Sequence, residues 1–150
     1  MYSNNVYKGR YKVNNPKKYT GNPTNVIYRS MWEFKFMKYC DNNPNVLEWG
    51  SEEVVIPYLS PVDGKVHRYF VDFYMKVQES TGHIRKYLIE IKPAKFTQPP
   101  TVPKRRTQQF VQEVYTWGVN QAKWKAARDF CENRGWNFEI ITEKELGIDK

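Results

Sequence analysis

Residues 66–77 alternate in character. The odd positions His67, Tyr69, Val71, Phe73, Met75 and Val77 are mainly apolar, while the even positions, Val66, Arg68, Phe70, Asp72, Tyr74 and Lys76, carry the charges. A period of two is the mark of a strand that turns one face to a core. Residues 84–92 repeat it, with Tyr87, Ile89 and Ile91 apolar and Lys86, Glu90 and Lys92 polar. Glu79-Ser80-Thr81-Gly82 between them reads as a hairpin turn. An earlier strand is predicted over 53–60, closed by the turn signals Ser60-Pro61 and Asp63-Gly64.

Helical spacing appears twice. Over 29–41, Trp32, Phe36, Tyr39 and Cys40 fall on one face, Ser30 is a good N-cap, and Asp41-Asn42-Asn43-Pro44 is a stop. The longer stretch spans 103–134, with Pro103 suited to a first turn. Gly118 and Asn120 read as a break or a kink, with Asn120 suited to cap a second helix, and Gly135 suits the C-terminal cap. Residues 138–141 read as a last short strand. Residues 1–28 show no period and are rich in Asn, Tyr, Lys and Gly, the signature of an extended arm. The order is helix, three strands, one or two helices, strand. Neither half has enough elements for its own core, so 29–150 reads as one α/β domain of about four strands flanked by helices.

Composition narrows the class. The chain has 150 residues, 40% hydrophobic and 16% aromatic, enough to bury a core. No apolar run approaches the roughly 20 residues of a membrane span. The opening residues do not read as a secretory signal. Two cysteines, Cys40 and Cys131, are too few for a disulfide framework or a four-cysteine zinc site. Both read as small core residues in a reducing cytosol.

Charge changes the picture through its placement. The net charge is +8. Residues 1–30 hold Lys8, Arg10, Lys12, Lys17, Lys18 and Arg29 without an acid, and 93–109 hold Lys95, Lys104, Arg105 and Arg106 without one. Two acid-free basic segments on a near-neutral body fit a polyanionic partner, nucleic acid or anionic lipid, and clustered basic charge favours nucleic acid over a surface merely charged for solubility. The tyrosines Tyr7, Tyr11 and Tyr19 interleave with the basic residues. They can stack on unpaired bases, or fold the arm back onto its own body.

The candidate chemistry comes from the hairpin. With its turn centred on Thr81, nine steps in each direction lead to Asp72 and Glu90. The same register matches apolar face to apolar face, and a one-residue slip would spoil both. Two carboxylates directly opposed repel each other. One remedy is a divalent cation such as Mg²⁺ or Mn²⁺, which takes hard oxygen ligands. Lys92, two residues beyond Glu90, projects from the same face. Carboxylates for the ion, the ion for a phosphate and an ammonium beside them are the parts of metal-assisted phosphodiester hydrolysis. The alternative is an exposed ladder in which Asp72 and Glu90 pair with Arg68, Lys76, Lys86 or Lys92.

Val71-Asp72, followed after 17 intervening residues by Glu90-Ile91-Lys92, resembles the PD-(D/E)XK motif of the restriction-endonuclease-like nucleases, with Val71 where proline is usual. Further stretches resemble the head-completion nucleases of T4-like tailed phages. They are Tyr28-Arg29-Ser30-Met31-Trp32-Glu33, Tyr39-Cys40-Asp41, Trp49-Gly50-Ser51-Glu52-Glu53 and 61–70, within a likeness over 26–146. More distantly the chain resembles the TnsA-type transposon endonucleases, where a glutamate-bearing helix precedes the sheet and a Thr-Glu like Thr142-Glu143 follows the last strand.

The resemblance implies a restriction-endonuclease-like core with a mixed sheet, and a Mg²⁺-dependent deoxyribonuclease that trims packaged DNA before heads and tails join. It implies that Asp72, Glu90 and the main-chain carbonyl of Ile91 hold the metal, and that Lys92 and the helix residue Glu33 join in catalysis. Glu33 also stands three residues after Ser30, where it would complete a capping box. DNA contacts are expected from Lys104, Arg105 and Arg106 at the start of the long helix, and from Arg68, Lys12, Lys17 and Lys18. Phage portal or connector proteins are the implied partners, and the host cytoplasm during assembly, or the virion, the implied location. The rival reading is a non-catalytic DNA-binding head plug or connector. His67, on the apolar face, reads as a core histidine, and the five tryptophans read as packing residues.

Overall fold

The computed structural model describes residues 8–147, so Tyr7 lies outside the described residues. Its elements are β1 (Gly9–Arg10), β2 (Ile27–Tyr28), α1 (Met31–Asn42), β3 (Val46–Ser51), β4 (Val55–Leu59), β5 (Val66–Phe70), β6 (Phe73–Gln78), β7 (Ile84–Ile91), α2 (Gln108–Arg134), β8 (Asn137–Ile141) and α3 (Glu143–Leu146). The central sheet is mixed and four-stranded, in the order β3-β6-β7-β8. β3, β6 and β7 run antiparallel, and β8 returns parallel to β7 after the α2 crossover. Two-stranded ribbons, β1–β2 and β4–β5, complete the strands. This is a mixed α/β fold of the restriction-endonuclease-like kind.

The hairpin register is the one expected from the sequence. Phe73 pairs with Ile89 and Gln78 with Ile84, every pair equidistant from Thr81. Gly82 adopts a φ of 87°, which the turn requires and which only glycine takes at little cost. Ser30 caps α1, its Oγ accepting from the Glu33 N–H at 3.2 Å. Gly135 ends α2 at a φ of 71°, and the Trp136 N–H closes back on the Cys131 carbonyl at 2.8 Å.

Several elements depart from the sequence reading. The alternating run 66–77 is two strands in two different sheets, because the chain crosses over at Val71-Asp72. The Val71 N–H bonds the Val54 carbonyl at 3.1 Å and the Asp72 carbonyl accepts from the Glu52 N–H at 3.1 Å. A proline at position 71 could not make the first of these bonds. The strand β3 has no counterpart in the sequence pattern; it pairs with β6 at the sheet edge. α2 begins at Gln108, capped by Thr107, and runs unbroken for 27 residues through Gly118 and Asn120. His67 is exposed although it shares a face of β5 with the buried Tyr69, because it lies near the Asp63-Gly64 turn, where its Nε2 stands 2.7 Å from the Asp63 carboxylate. Tyr39 is likewise half exposed, and Met37 takes its place in the core.

The sheet is covered on both faces. On one, Phe73, Met75, Ile89 and Ile91 pack with Phe36, Met37 and Cys40 of α1. On the other, Tyr74 and Leu88 pack with Trp124, Ala127 and Cys131 of α2 and with Ile56, Tyr58 and Tyr69 of the β4–β5 ribbon. The polar face foreseen for the hairpin is thus a second core. Both cysteines are free and buried.

The basic stretch 8–28 lies along the body. Tyr11, Tyr19 and Val26 are buried in the first core, and both tyrosine rings meet Trp49 edge-on. Asp41 of α1, with no exposed surface, anchors this stretch. It accepts from the Tyr11 hydroxyl and the Asn14 N–H, each at 2.7 Å, and from the Asn15 N–H at 3.0 Å.

Candidate active site

The crossover at Val71-Asp72 sets the site. Asp72 enters the central sheet one residue before β6, beside Ile91 at the end of β7, and its Oδ2 accepts from the Ile91 N–H at 2.8 Å. Glu90 lies on the strand just before Ile91, on the side covered by α2, and is 6% exposed. Its Oε1 accepts from the Tyr69 hydroxyl at 2.5 Å, and its Oε2 stands 3.4 Å from Lys92 Nζ. The Lys92 backbone is pinned by its N–H to the Ile141 carbonyl at 2.9 Å. Asp72, Glu90 and Lys92 therefore meet at one end of the central sheet.

Glu33 approaches from α1. Its Oε1 accepts from the Arg29 N–H at 3.0 Å, one residue before the cap, so it closes a variant of the capping box. It is also within electrostatic range of both sheet carboxylates. Behind it Arg29 Nη1 pairs with Glu52 at 2.6 Å. Glu52 takes a left-handed φ of 56°, uncommon without glycine, which aims its N–H at the Asp72 carbonyl. Arg29 and Glu52 border a cleft of about 220 Å³ shared with Tyr19, Asn25 and Ser51.

The electrostatics are those of crowded acids. Burial first, and the Glu90 charge second, push the Asp72 carboxyl well above the usual carboxylate range, against the Ile91 N–H and Lys92, which lower it. Glu33 is also raised, by burial first, with the Arg29 N–H opposing and Glu52 and Glu90 adding. Burial and the neighbouring Glu90 hold the Tyr69 phenol far above its ordinary value, so it remains a donor.

The donor set suits a hard divalent cation. The two principal carboxylates are close, half-buried or buried, and one is destabilised in its charged form. Among the described residues no three His, Cys, Asp or Glu side chains close into a full cage. Asp72 and Glu33 each spend an oxygen on a main-chain N–H. A site of one or two carboxylates matches Mg²⁺, which keeps most of its waters and completes its shell with substrate phosphates.

The other expected contacts fall differently. Lys104, Arg105 and Arg106 are exposed, in the loop before the Thr107 cap rather than in the first turn of α2. Lys12 and Lys17 are exposed, and Arg68 is exposed with its guanidinium 5.4 Å from the centre of the Phe70 ring. Lys18 is not free for DNA. Its ammonium caps the C-terminus of α1, donating to the carbonyls of Cys40, Asp41 and Asn43 at 2.9, 3.0 and 2.9 Å. Tyr69 escaped the sequence reading. On a continuous strand it and Asp72, three residues apart, would face opposite ways, and only the crossover brings it to Glu90.

A mixed sheet with two acids and a lysine at one end defines a nuclease core, and comparison with known proteins agrees. Residues 43–143 match the family described as TnsA-like endonuclease N terminal, so the chain belongs to that family. Over 145 residues it is 46% identical to the head completion nuclease of Enterobacteria phage T4, covering 94% of each chain. The family match contains Asp72, Glu90, Lys92 and Thr142-Glu143. Glu33 lies outside it.

Proposed function

We propose that this protein is a metal-dependent deoxyribonuclease of phage morphogenesis, trimming packaged DNA during head completion before tails join. The observation that carries this is the meeting of Asp72 and Glu90 with Lys92 at 3.4 Å from Glu90. The likeness to a phage head completion nuclease supports the biological setting.

Asp72 and Glu90, with the main-chain carbonyl of Ile91, would hold Mg²⁺ or Mn²⁺. When bound, such an ion polarises the phosphodiester and makes water a stronger nucleophile at neutral pH. Lys92, held toward Glu90, orients the attacking water or offsets charge that develops on the phosphate. Glu33 adds negative potential that favours cation entry. The exposed loop Lys104, Arg105, Arg106, together with Arg68, Lys12 and Lys17, supplies phosphate contacts. Such contacts fix position and carry no base information, so sequence preference is low. Portal or connector proteins are the partners in this setting.

The test is cleavage of supercoiled, linear and flap DNA with and without Mg²⁺. Asp72→Ala and Glu90→Ala abolish metal-dependent cleavage while the circular dichroism spectrum is retained. Full activity in either variant refutes the assignment.

A further inference from the structure

The ribbon β4–β5 sends one buried phenol into the acid cluster. Tyr69 is 4% exposed and Glu90 6%, so water does not compete for their hydrogen bond. The ring is clamped by the second core, beside Ile56, Tyr58 and Trp124. From α2, Lys123 Nζ lies 5.5 Å from the Tyr69 ring centre and 5.8 Å from that of Tyr58. The phenol is thus delivered by two elements that supply no acid to the site. Glu90's two oxygens are divided, Oε1 to Tyr69 and Oε2 toward Lys92.

We infer that Tyr69 is a positioning residue, whose hydroxyl fixes Oε1 of Glu90 so that the carboxylate meets a divalent cation in a single orientation with Oε2 on the Lys92 side. A glutamate has three rotatable side-chain bonds, and one held by a rigid donor loses less freedom when it binds a ligand. Outer partners of this kind are worth about 10–100-fold in metal affinity or activity. The inference rests on the reading of Asp72 and Glu90 as a cation site.

The experiment is calorimetric titration of the full chain with Mn²⁺, without DNA, beside steady-state plasmid cleavage. Tyr69→Phe removes one oxygen and keeps the ring. It is expected to weaken Mn²⁺ binding by about tenfold and to lower kcat by about 10–100-fold. KM for DNA, and DNA binding in chelator, stay as in the wild type. Tyr58→Phe, which alters a phenol in the same core with no bond to Glu90, leaves Mn²⁺ binding and kcat unchanged. Wild-type Mn²⁺ affinity in Tyr69→Phe overturns the inference, as does an equal loss in both variants, which would mark a packing effect. Wild-type Mn²⁺ binding and cleavage in Asp72→Ala would instead overturn the cation-site reading itself, separating the two failures.

Discussion

Asp72→Asn separates stability from activity. Extending the β6–β7 register one position beyond Phe73–Ile89 opposes Asp72 and Glu90, and opposed residues place their Cβ atoms about 5 Å apart. Two charges at that distance repel by about 3 kcal/mol at an effective dielectric near 20. Lys92, 3.4 Å from Glu90, offsets part of this. The amide oxygen of asparagine still accepts the Ile91 N–H but loses the charge assistance, which costs about 1 kcal/mol. The net expectation without metal is a variant more stable by about 1–2 kcal/mol at pH 7. For a chain of 150 residues that is about 2–8 °C in Tm. Because the folded Asp72 pKa is raised, the native state binds this proton more tightly than the unfolded chain does. Its contribution to stability is full below about pH 4 and is lost as pH rises through the elevated folded value. Wild type and variant therefore melt together near pH 4 and diverge toward neutrality. Thermal unfolding by circular dichroism in chelator from pH 4 to 8, with plasmid cleavage alongside, checks this. Saturating Mg²⁺ raises the Tm of the wild type and leaves the inactive variant unmoved. A variant less stable than wild type at pH 7 in chelator, or a gap independent of pH, refutes the reasoning.

Lys18→Met uncaps three carbonyls at the end of α1 and lowers stability by about 2 kcal/mol in urea unfolding, with DNA affinity unchanged. Asp41→Asn puts an amide donor among the Tyr11, Asn14 and Asn15 donors and destabilises by about 3 kcal/mol, read by the same titration. Replacing Lys104, Arg105 and Arg106 together by alanine weakens DNA binding for every sequence and flattens the slope of log affinity against log salt by about 2–3, measured by fluorescence anisotropy. Gly135→Ala forces a side chain into a left-handed φ of 71° and costs about 1 kcal/mol in thermal unfolding.

The local signals were strong where one short stretch supplied all the information. The β6–β7 register needs only two alternating runs and a turn with Gly82 at its end, and that local pattern sets Asp72 beside Glu90. Ser30 and Gly135 marked helix ends because a cap is a contact within one turn. β3 was harder to see because Val46, Leu47 and Trp49 are too few to declare a period. The start of α2 is ambiguous in the sequence because Pro103 and Thr107 both suit a helix entrance, and only Thr107 reaches an N–H, that of Phe110.

What the sequence determined by itself was therefore the pairing of two acids beside a lysine, since period and turn geometry are properties of the local chain. The environment of that pair was decided elsewhere. Alternation continues without interruption through Val71 and Asp72, yet the crossover there moves β5 into its own ribbon and reverses which parity faces α2. That reversal turns an expected solvated face into a core, buries Glu90 and delivers Tyr69 to it. Lys18, one lysine among several in a basic stretch, becomes a helix cap because that stretch packs against the end of α1. A side chain's chemistry is written at its own position, but its burial and partners depend on which distant surfaces the folded chain presses against it.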